Sequence, residues 1–427
     1  MKSHEYQDGS SSLWRNQNYL LLQGGQIVSF IGSQQQFIAL PLLVLAFTGS
    51  ALQAGIAVSL STIAVLVVSP FAGALVDRWD RKRTMLICDA GRMLVTFTLP
   101  FAFWFHILTM LQIYIVVVIA GIFGALFSVA NTAALPSVVT RDQLPAALSQ
   151  TQAAYSCVRT LGSVLGGALY SLGEVLPFLA NAISFGVSVC SLSLMRGNFQ
   201  SKREETSQPL LKAVAEGFVW LWEQPLLRFL TLVNGADSLR YGAGYLVILV
   251  LAGELHTSSS GIGAIFTGAA VGALLGNIAS NRVRKHMSFG KIAISMLWLE
   301  ALMFPLYAIA PNALIMGLIA AAEEFVGPMY TISFESYRLI ATPDTMRGRT
   351  SSTVQWVTQG AQSLGAILGG ILIQAIGAKW SALLWGAWLL LLASATTLNK
   401  RVRRASLSVA EPAEPHLVSG VSQSEIK

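Results

Sequence analysis

Six ionisable side chains stand deep inside stretches that otherwise avoid charge: Arg159, Asp237, Arg240, Glu300, Glu323 and Glu324. Glu323 and Glu324 lie 11 and 12 residues beyond Asn312, roughly 16–18 Å along a helix. That is the middle of an apolar layer about 30 Å thick. Asp237 follows Pro225 by 12 residues, Glu300 follows Lys291 by nine, and Arg159 follows Ser149 by ten. An ionisable group at such depth costs at least about 2.5–3.5 kcal/mol, so each needs a reason. One reason is proton carriage, because desolvation lets a carboxyl in a dry cavity hold a proton near neutral pH. The other is a helix-packing hydrogen bond. Arg240 follows Asp237 by three, so the two can pair on one helix face, which would neutralise Asp237. Glu323 and Glu324 are adjacent, about 100° apart on a helix, and cannot share one direction. Glu324 shares its face with Thr331, Glu335 and Arg338, whereas Glu323 shares its own with Ala320, Gly327 and Tyr330. The more polar stripe favours Glu324 as the carrier, ahead of Glu323 and Asp237.

Other chemistry finds no residues. No G-x4-G-K-[S/T] run is present, so ATP cannot be assigned. The five histidines are scattered near loops and tails, and Cys88, Cys157 and Cys190 show no pairing or metal spacing. No nucleophile–base or metal cluster stands out, so an enzyme reading has no support and no cofactor or metal is expected. Amides are the other polar resource. Gln152, Ser156, Arg159 and Ser163 form one helical stripe, and adding 203 gives Gln355, Gln359, Gln362 and Ala366. A lipid-facing stripe of this kind would be costly, so both should look inward. Gln23, Gln26, Phe30, Ser33, Gln34 and Phe37 on the first span, and Asn131 on the fourth, add to them. Amides and aromatics with few charges suit a bulky, partly apolar ligand. For any single Gln, a helix–helix hydrogen bond is an equally good account.

The elements that must position these residues follow from composition. The chain of 427 residues is 54% hydrophobic and only 11% charged, against about 25% in soluble domains. So little polar surface cannot cover a soluble core, and the solvent must be lipid. About 20 apolar residues cross a bilayer. Twelve stretches qualify, at about 19–45, 52–76, 84–105, 111–136, 149–171, 176–195, 226–252, 261–281, 291–310, 312–338, 350–376 and 379–399. The polar first eighteen residues and the long apolar run after them do not form a cleavable signal peptide.

The net charge of +7 does not point to nucleic acid, because its distribution follows the membrane. Arg92, Arg159 and Arg240 lie inside spans and Lys379 lies between the last two; every other Lys and Arg falls on the side that holds both termini. Basic loops stay in the cytoplasm, so both ends are expected there. The segment Asp77 to Arg83 carries six charges in seven residues and reads as a short cytoplasmic loop between the second and third spans.

The two halves repeat. LGSVLGGAL at 161–169 recurs as LGAILGGIL at 364–372, and the same offset carries Gly32, Gly73, Arg81 and Lys82 onto Gly235, Gly276, Arg284 and Lys285. The domains expected are an N-terminus over 1–18, a six-helix half over 19–195, a central loop over 196–225, a second six-helix half over 226–399 and a disordered tail over 400–427. The spacing of Leu211, Val214, Phe218, Leu221 and Trp222 predicts an amphipathic helix on the inner membrane surface within the loop. The fold class is thus an all-α membrane protein with twelve transmembrane helices in two pseudo-symmetric six-helix halves.

Two six-helix halves, a long central loop and GALVDRWDRKR between the second and third spans resemble the major facilitator superfamily. The family's pattern, G-x-L-x-D-R-x-G-R-K/R, matches at Gly73, Leu75, Asp77, Arg78, Arg81 and Lys82, with Asp80 in place of the usual glycine. The start of the chain from Leu13 and the stretch NTAALPSVVTRDQLPAALSQTQ resemble the branch holding enterobactin-type siderophore exporters and macrolide-efflux proteins. The second-half loop has lost the acid, since Ser280 stands where Asp77 stands. The resemblance implies a cytoplasmic gate in which Asp77 meets the positive N-terminus of a helix from the other half. It also implies a cavity lined by the first, fourth, seventh and tenth spans, with the ninth, and so Glu300, outside. The function implied is export of a hydrophobic or amphipathic small molecule, a drug or antibiotic, by alternating access and proton antiport. The protein would be a monomer in the bacterial plasma membrane. Siderophore export is the alternative, and a transport-inactive sensor or assembly partner a third.

Overall fold

The computed structural model describes residues 13–76, 79–140, 142–196, 210–343 and 346–405. Asp77 and Arg78, the side chains of Ser156, Arg159 and Ser163, and the tail beyond residue 405 lie outside the described residues.

The chain forms α1 (Gln17–Thr48), α2 (Ala51–Val76), α3 (Arg81–Trp104), α4 (Met110–Val138), α5 (Leu144–Leu172) and α6 (Leu176–Leu194) in its first part. After the central loop come α7 (Leu210–Glu223), α8 (Pro225–Glu254), α9 (Ser259–His286), α10 (Phe289–Met303), α11 (Ala313–Ala341), α12 (Arg347–Ile376), α13 (Ala378–Leu398) and a short α14 (Lys400–Arg404). No strand occurs among the described residues. Ten helices there are long and apolar enough to cross a membrane. The remaining two of the twelve, α5 and α8, have 29 and 30 residues; they carry the amide stripe and the Asp237–Arg240 pair, which dilute their apolar character.

Helix ends follow local chemistry. Asn16, Asp80, Thr109, Ser258 and Asn312 each accept a backbone N–H from the first turn of α1, α3, α4, α9 and α11, which satisfies donors that the helix itself leaves free. Gly49 ends α1 at φ 66°, a left-handed conformation open to glycine without strain. Among the boundaries that differ from the sequence expectation, two have a local cause. The fifth span begins at Leu144, five residues early, with Pro145 in its first turn. The ninth is not one α-helix to residue 310, because α10 stops at Met303 and a 3-10 turn runs over Phe304–Ile309. Pro305 has no N–H for the α-helical ladder.

The packing repeats with the sequence. In the first half α1 packs on α5 and α6, α4 packs on α2 and α3, and α3 packs on α6. In the second half α8 packs on α12 and α13, α11 packs on α9 and α10, and α10 packs on α13. Each of these contacts has its counterpart in the other half. The halves meet through α2 with α12 and α5 with α9, pairs that the same relation exchanges. The glycines of the repeat explain the closest approaches. A Cβ at Gly166 would stand 2.9 Å from the Gln35 carbonyl oxygen on α1, and one at Gly369 would stand 2.7 Å from Ala243 Cα on α8. The loop cations repeat as well. Arg81 Nη1 donates to the Ala133 carbonyl at 2.8 Å, and Arg284 Nη1 donates to Ser336 Oγ at 3.2 Å; donors and acceptors are both 203 residues apart.

The helix α7 spans the seam at the end of the bundle that bears the termini. It packs on α12 and touches α2, and Glu216 pairs with Arg349.

Candidate functional site

The second half is organised around one guanidinium. Arg240 is 3% exposed. Its Nε and Nη2 donate to Asp237 Oδ1, one turn earlier on α8, at 3.2 and 3.0 Å. Its Nη1 donates to Glu323 Oε1 on α11, and its Nη2 reaches Glu300 Oε2 on α10 at 3.4 Å. The 3-10 turn supplies the rest. Tyr307 Oη donates to Glu323 Oε2 at 3.1 Å, and the Phe304 ring centroid lies 5.3 Å from the guanidinium carbon. Four helical segments thus converge on Arg240.

Glu324, the neighbour of Glu323, points elsewhere. It is half-buried, stands beside Tyr241 and makes no ion pair among the described residues. Glu323 and Glu324 both line a cavity of about 200 Å3 between the halves. Its walls are Gln34 and Phe37 of α1, Arg240, Tyr241 and Tyr245 of α8, Phe266 and three alanines of α9, and Phe304 and Tyr307. Around it stand four carboxyls and a single guanidinium. Such a site can take up positive charge, as protons or as a bound cation.

Above the cavity, at the end of the bundle remote from the termini, the halves are closed against each other. The Phe37 and Tyr245 rings lie 5.3 Å apart, and Tyr245 Oη donates to the Phe37 carbonyl at 3.3 Å. Ser59 Oγ of α2 donates to the Ser363 carbonyl of α12 at 2.7 Å. A Cβ at Gly55 would meet the Ala366 carbonyl, and one at Gly370 would stand 2.7 Å from the Ala51 carbonyl oxygen.

The sequence-derived candidates divide clearly. Glu323, Glu324, Arg240, Gln34 and Phe37 are brought to the cavity, with Asp237 behind Arg240. Glu300, which the resemblance put outside, is 3% exposed and part of the ion cluster. Asn131, Gln152, Gln355, Gln359 and Gln362 do not line this cavity; Gln152 and Gln355 are exposed, and the other three are half-buried. Gly73 lies near the end of α2 with open space around it. Lys82 Nζ donates to the Met195 and Ser193 carbonyls at 2.6 and 3.2 Å, so Arg81 and Lys82 staple the start of α3 to α4 and α6.

Two features escaped the sequence reading. One is the aromatic wall. Its signal was the i, i+4 pair Tyr241 and Tyr245, one turn beyond Asp237 on α8. The other is Asp89, fully buried on α3 and paired with Arg92 at 3.3 Å. Arg92 also stacks over Phe185 at 4.0 Å and donates to Ser33 Oγ at 3.3 Å. An acid three residues before a mid-span Arg was legible, and its role here is to tie α3 to α1 and α6.

Comparison with known proteins agrees with this architecture. The family model described as transmembrane secretion effector matches residues 10–423. A multidrug efflux pump, Tap, of Mycolicibacterium fortuitum is 26% identical over 401 residues, covering 91% of this chain and 97% of Tap. The enterobactin exporter EntS of Citrobacter koseri is 25% identical over 342 residues, covering 78% and 80%. Among solved structures, a bacterial homologue of the iron transporter ferroportin in an inward-facing state superposes with a TM-score of 0.71 at 18% identity, covering 91% of this chain and 99% of that one. The nucleoside transporter NupG superposes with a TM-score of 0.72 at 14% identity, covering 89% and 98%. With two halves that repeat in sequence and packing around a cavity at their seam, and with a family model spanning nearly the whole chain, the protein belongs to the transmembrane secretion effector family of major facilitator superfamily transporters.

Proposed function

We propose that the protein exports an amphipathic small molecule in exchange for protons, as a single chain in the bacterial plasma membrane with both termini in the cytoplasm. The observation that carries this reading is the excess of carboxyls over cations at the cavity. Arg240 is shared by Asp237, Glu300 and Glu323, which leaves Glu324 facing the cavity without a cation. A proton on Glu324 neutralises it, and substrate arriving from the cytoplasm displaces that proton. The cavity then opens to the other side as the halves rock about the seam. Opening requires the Phe37–Tyr245 and Ser59–Ser363 contacts to part, and closure at the opposite end is the role of the loop carrying Asp77, Arg78, Arg81 and Lys82. The closed seam remote from the termini, set beside the inward-facing relative in structure, supports reading this conformation as open to the cytoplasm.

The names of two relatives, a multidrug efflux pump and an enterobactin exporter, support export. Of the two, the drug-efflux reading fits the site better, because an acidic siderophore would meet Glu323 and Glu324 in the lining, with two further carboxyls, Asp237 and Glu300, behind the one guanidinium. The test is Glu324→Gln in inverted membrane vesicles. It should abolish uptake of a fluorescent amphipathic dye driven by a proton gradient, yet leave dye exchange without a gradient intact. Gradient-driven uptake at the wild-type rate would refute Glu324 as the coupling group. If Glu323→Gln, Glu300→Gln and Asp237→Asn also leave it intact, proton exchange through this cluster is refuted.

A further inference from the structure

We propose that the cavity recognises an organic cation, a positive charge carried on a compact apolar body. The proposal rests on the reading of this cavity as the transport site and names the class of molecule that it takes.

Three observations converge on it. The first is the wall. Phe37, Tyr241, Tyr245, Phe266, Phe304 and Tyr307 all line a space of about 200 Å3. Aromatic faces carry the negative end of a quadrupole and attract cations, most strongly where water is excluded. The second is that the protein already uses part of this wall in that way. The Arg240 guanidinium lies 5.3 Å from the Phe304 centroid and 5.7 Å from that of Tyr241. Three of the other rings form a continuous row, with Phe37 to Tyr245 at 5.3 Å and Tyr245 to Phe266 at 5.1 Å, and no side-chain cation stacks on them among the described residues. The third is charge. Of the charged groups in the lining, Arg240 and Glu323 satisfy each other, and Tyr307 takes the second oxygen of Glu323. Glu324 is left with a hydroxyl neighbour, Tyr241, and no ion pair.

A neutral ligand would gain only apolar burial here. An anion would face the acid surplus and the negative ring faces together. A cation gains from both, and it occupies the same electrostatic role at Glu324 as a proton. Exchange then balances: one proton leaves the carboxyl as one cation enters, and the reverse follows on the other side. The volume suits a compact ammonium group with one ring, or the charged end of a larger amphiphile.

The test compares two molecules of the same shape that differ in charge. Phenyltrimethylammonium has a fixed positive charge, and tert-butylbenzene has carbon in place of its nitrogen. Equilibrium binding of each to the full-length protein in lipid nanodiscs is measured, with empty nanodiscs subtracted. The cation should bind at least tenfold more tightly to the wild type. Glu324→Gln should remove most of that preference, leaving the smaller part owed to the rings, while tert-butylbenzene binding persists, which reports an intact cavity. Phe266→Leu should weaken the cation several-fold more than the neutral compound. Equal binding of the pair to the wild type, a measurement that needs no variant, would overturn the proposal. So would a cation preference that survives both substitutions undiminished, since the charge would then be read elsewhere. Equal binding together with intact proton-driven export would overturn the cation while leaving the exporter reading in place. A cation preference without any gradient-driven transport would do the opposite.

Discussion

Replacing Arg240 by methionine should expose how much of the second half depends on one guanidinium. Methionine keeps much of the length and apolar packing of the arginine stem but removes the charge. Three carboxyls lose their partner. The Asp237 side chain is 22% exposed and can turn to water, whereas those of Glu300 and Glu323 are 4% and 9% exposed and cannot. Stranding a buried charge by removing its partner costs about 3–5 kcal/mol. An unfolding entropy of about 2.1 cal/mol/K per residue, over 427 residues, gives about 0.9 kcal/mol/K. The expected fall in melting temperature is therefore about 3–6 °C, read by tryptophan fluorescence of the detergent-purified protein. Removing the stranded charges as well, in Arg240→Met with Glu300→Gln and Glu323→Gln, should recover most of that fall. Neither the single nor the combined variant should transport, because the cavity wall is built on this cluster. An Arg240→Met protein that melts with the wild type, or a combined variant that melts lower still, would refute the account of a charge-held cluster.

Other consequences can be checked separately. With Cys88, Cys157 and Cys190 replaced, a cysteine at Thr257 should react with an impermeant thiol reagent applied outside cells and one at Asp142 should not; the reverse pattern would invert the proposed topology. Gly365→Leu forces a side chain into the Leu239 carbonyl across the α8–α12 contact, so the yield of folded protein should fall several-fold, whereas Gly348→Leu, in open space, should leave it unchanged. Asp77→Asn should give normal insertion and dye binding with transport slowed several-fold; unchanged efflux at normal expression would reduce the loop to a topology signal.

Most of the architecture was legible because the bilayer asks simple things of a sequence. About 20 apolar residues must lie between polar turns, and backbone hydrogen bonds must close within each segment, which leaves helices as the solution for such stretches. The offset of 203 that relates Gly162 and Gly166 to Gly365 and Gly369 announced two equivalent halves before any contact was known. The depth of Glu323, Glu324, Asp237 and Arg240 followed from counting residues at a fixed rise. The Asp237–Arg240 contact followed from their spacing on one helix.

What sequence could not decide is how the helices are turned toward one another. Arg240 meets residues 60 and 83 positions away, and such meetings depend on the rotation and tilt of α8, α10 and α11 against each other. Periodicity identifies the faces of a helix but not which neighbour each face meets. The order of its helix therefore places Glu300 outside the cavity, and it is not in the lining, yet its own face turns inward to Arg240. The 3-10 turn at Pro305 is a local event that the proline permits, but its effect is tertiary: it carries Phe304 and Tyr307 to the far side of the same guanidinium. Glu323 and Glu324 differ by one residue and both line the cavity, but the packing gives Glu323 a cation and leaves Glu324 with only a tyrosine neighbour. That distinction belongs to the assembled structure, because a step of about 100° around one helix selects which partners a carboxyl can reach.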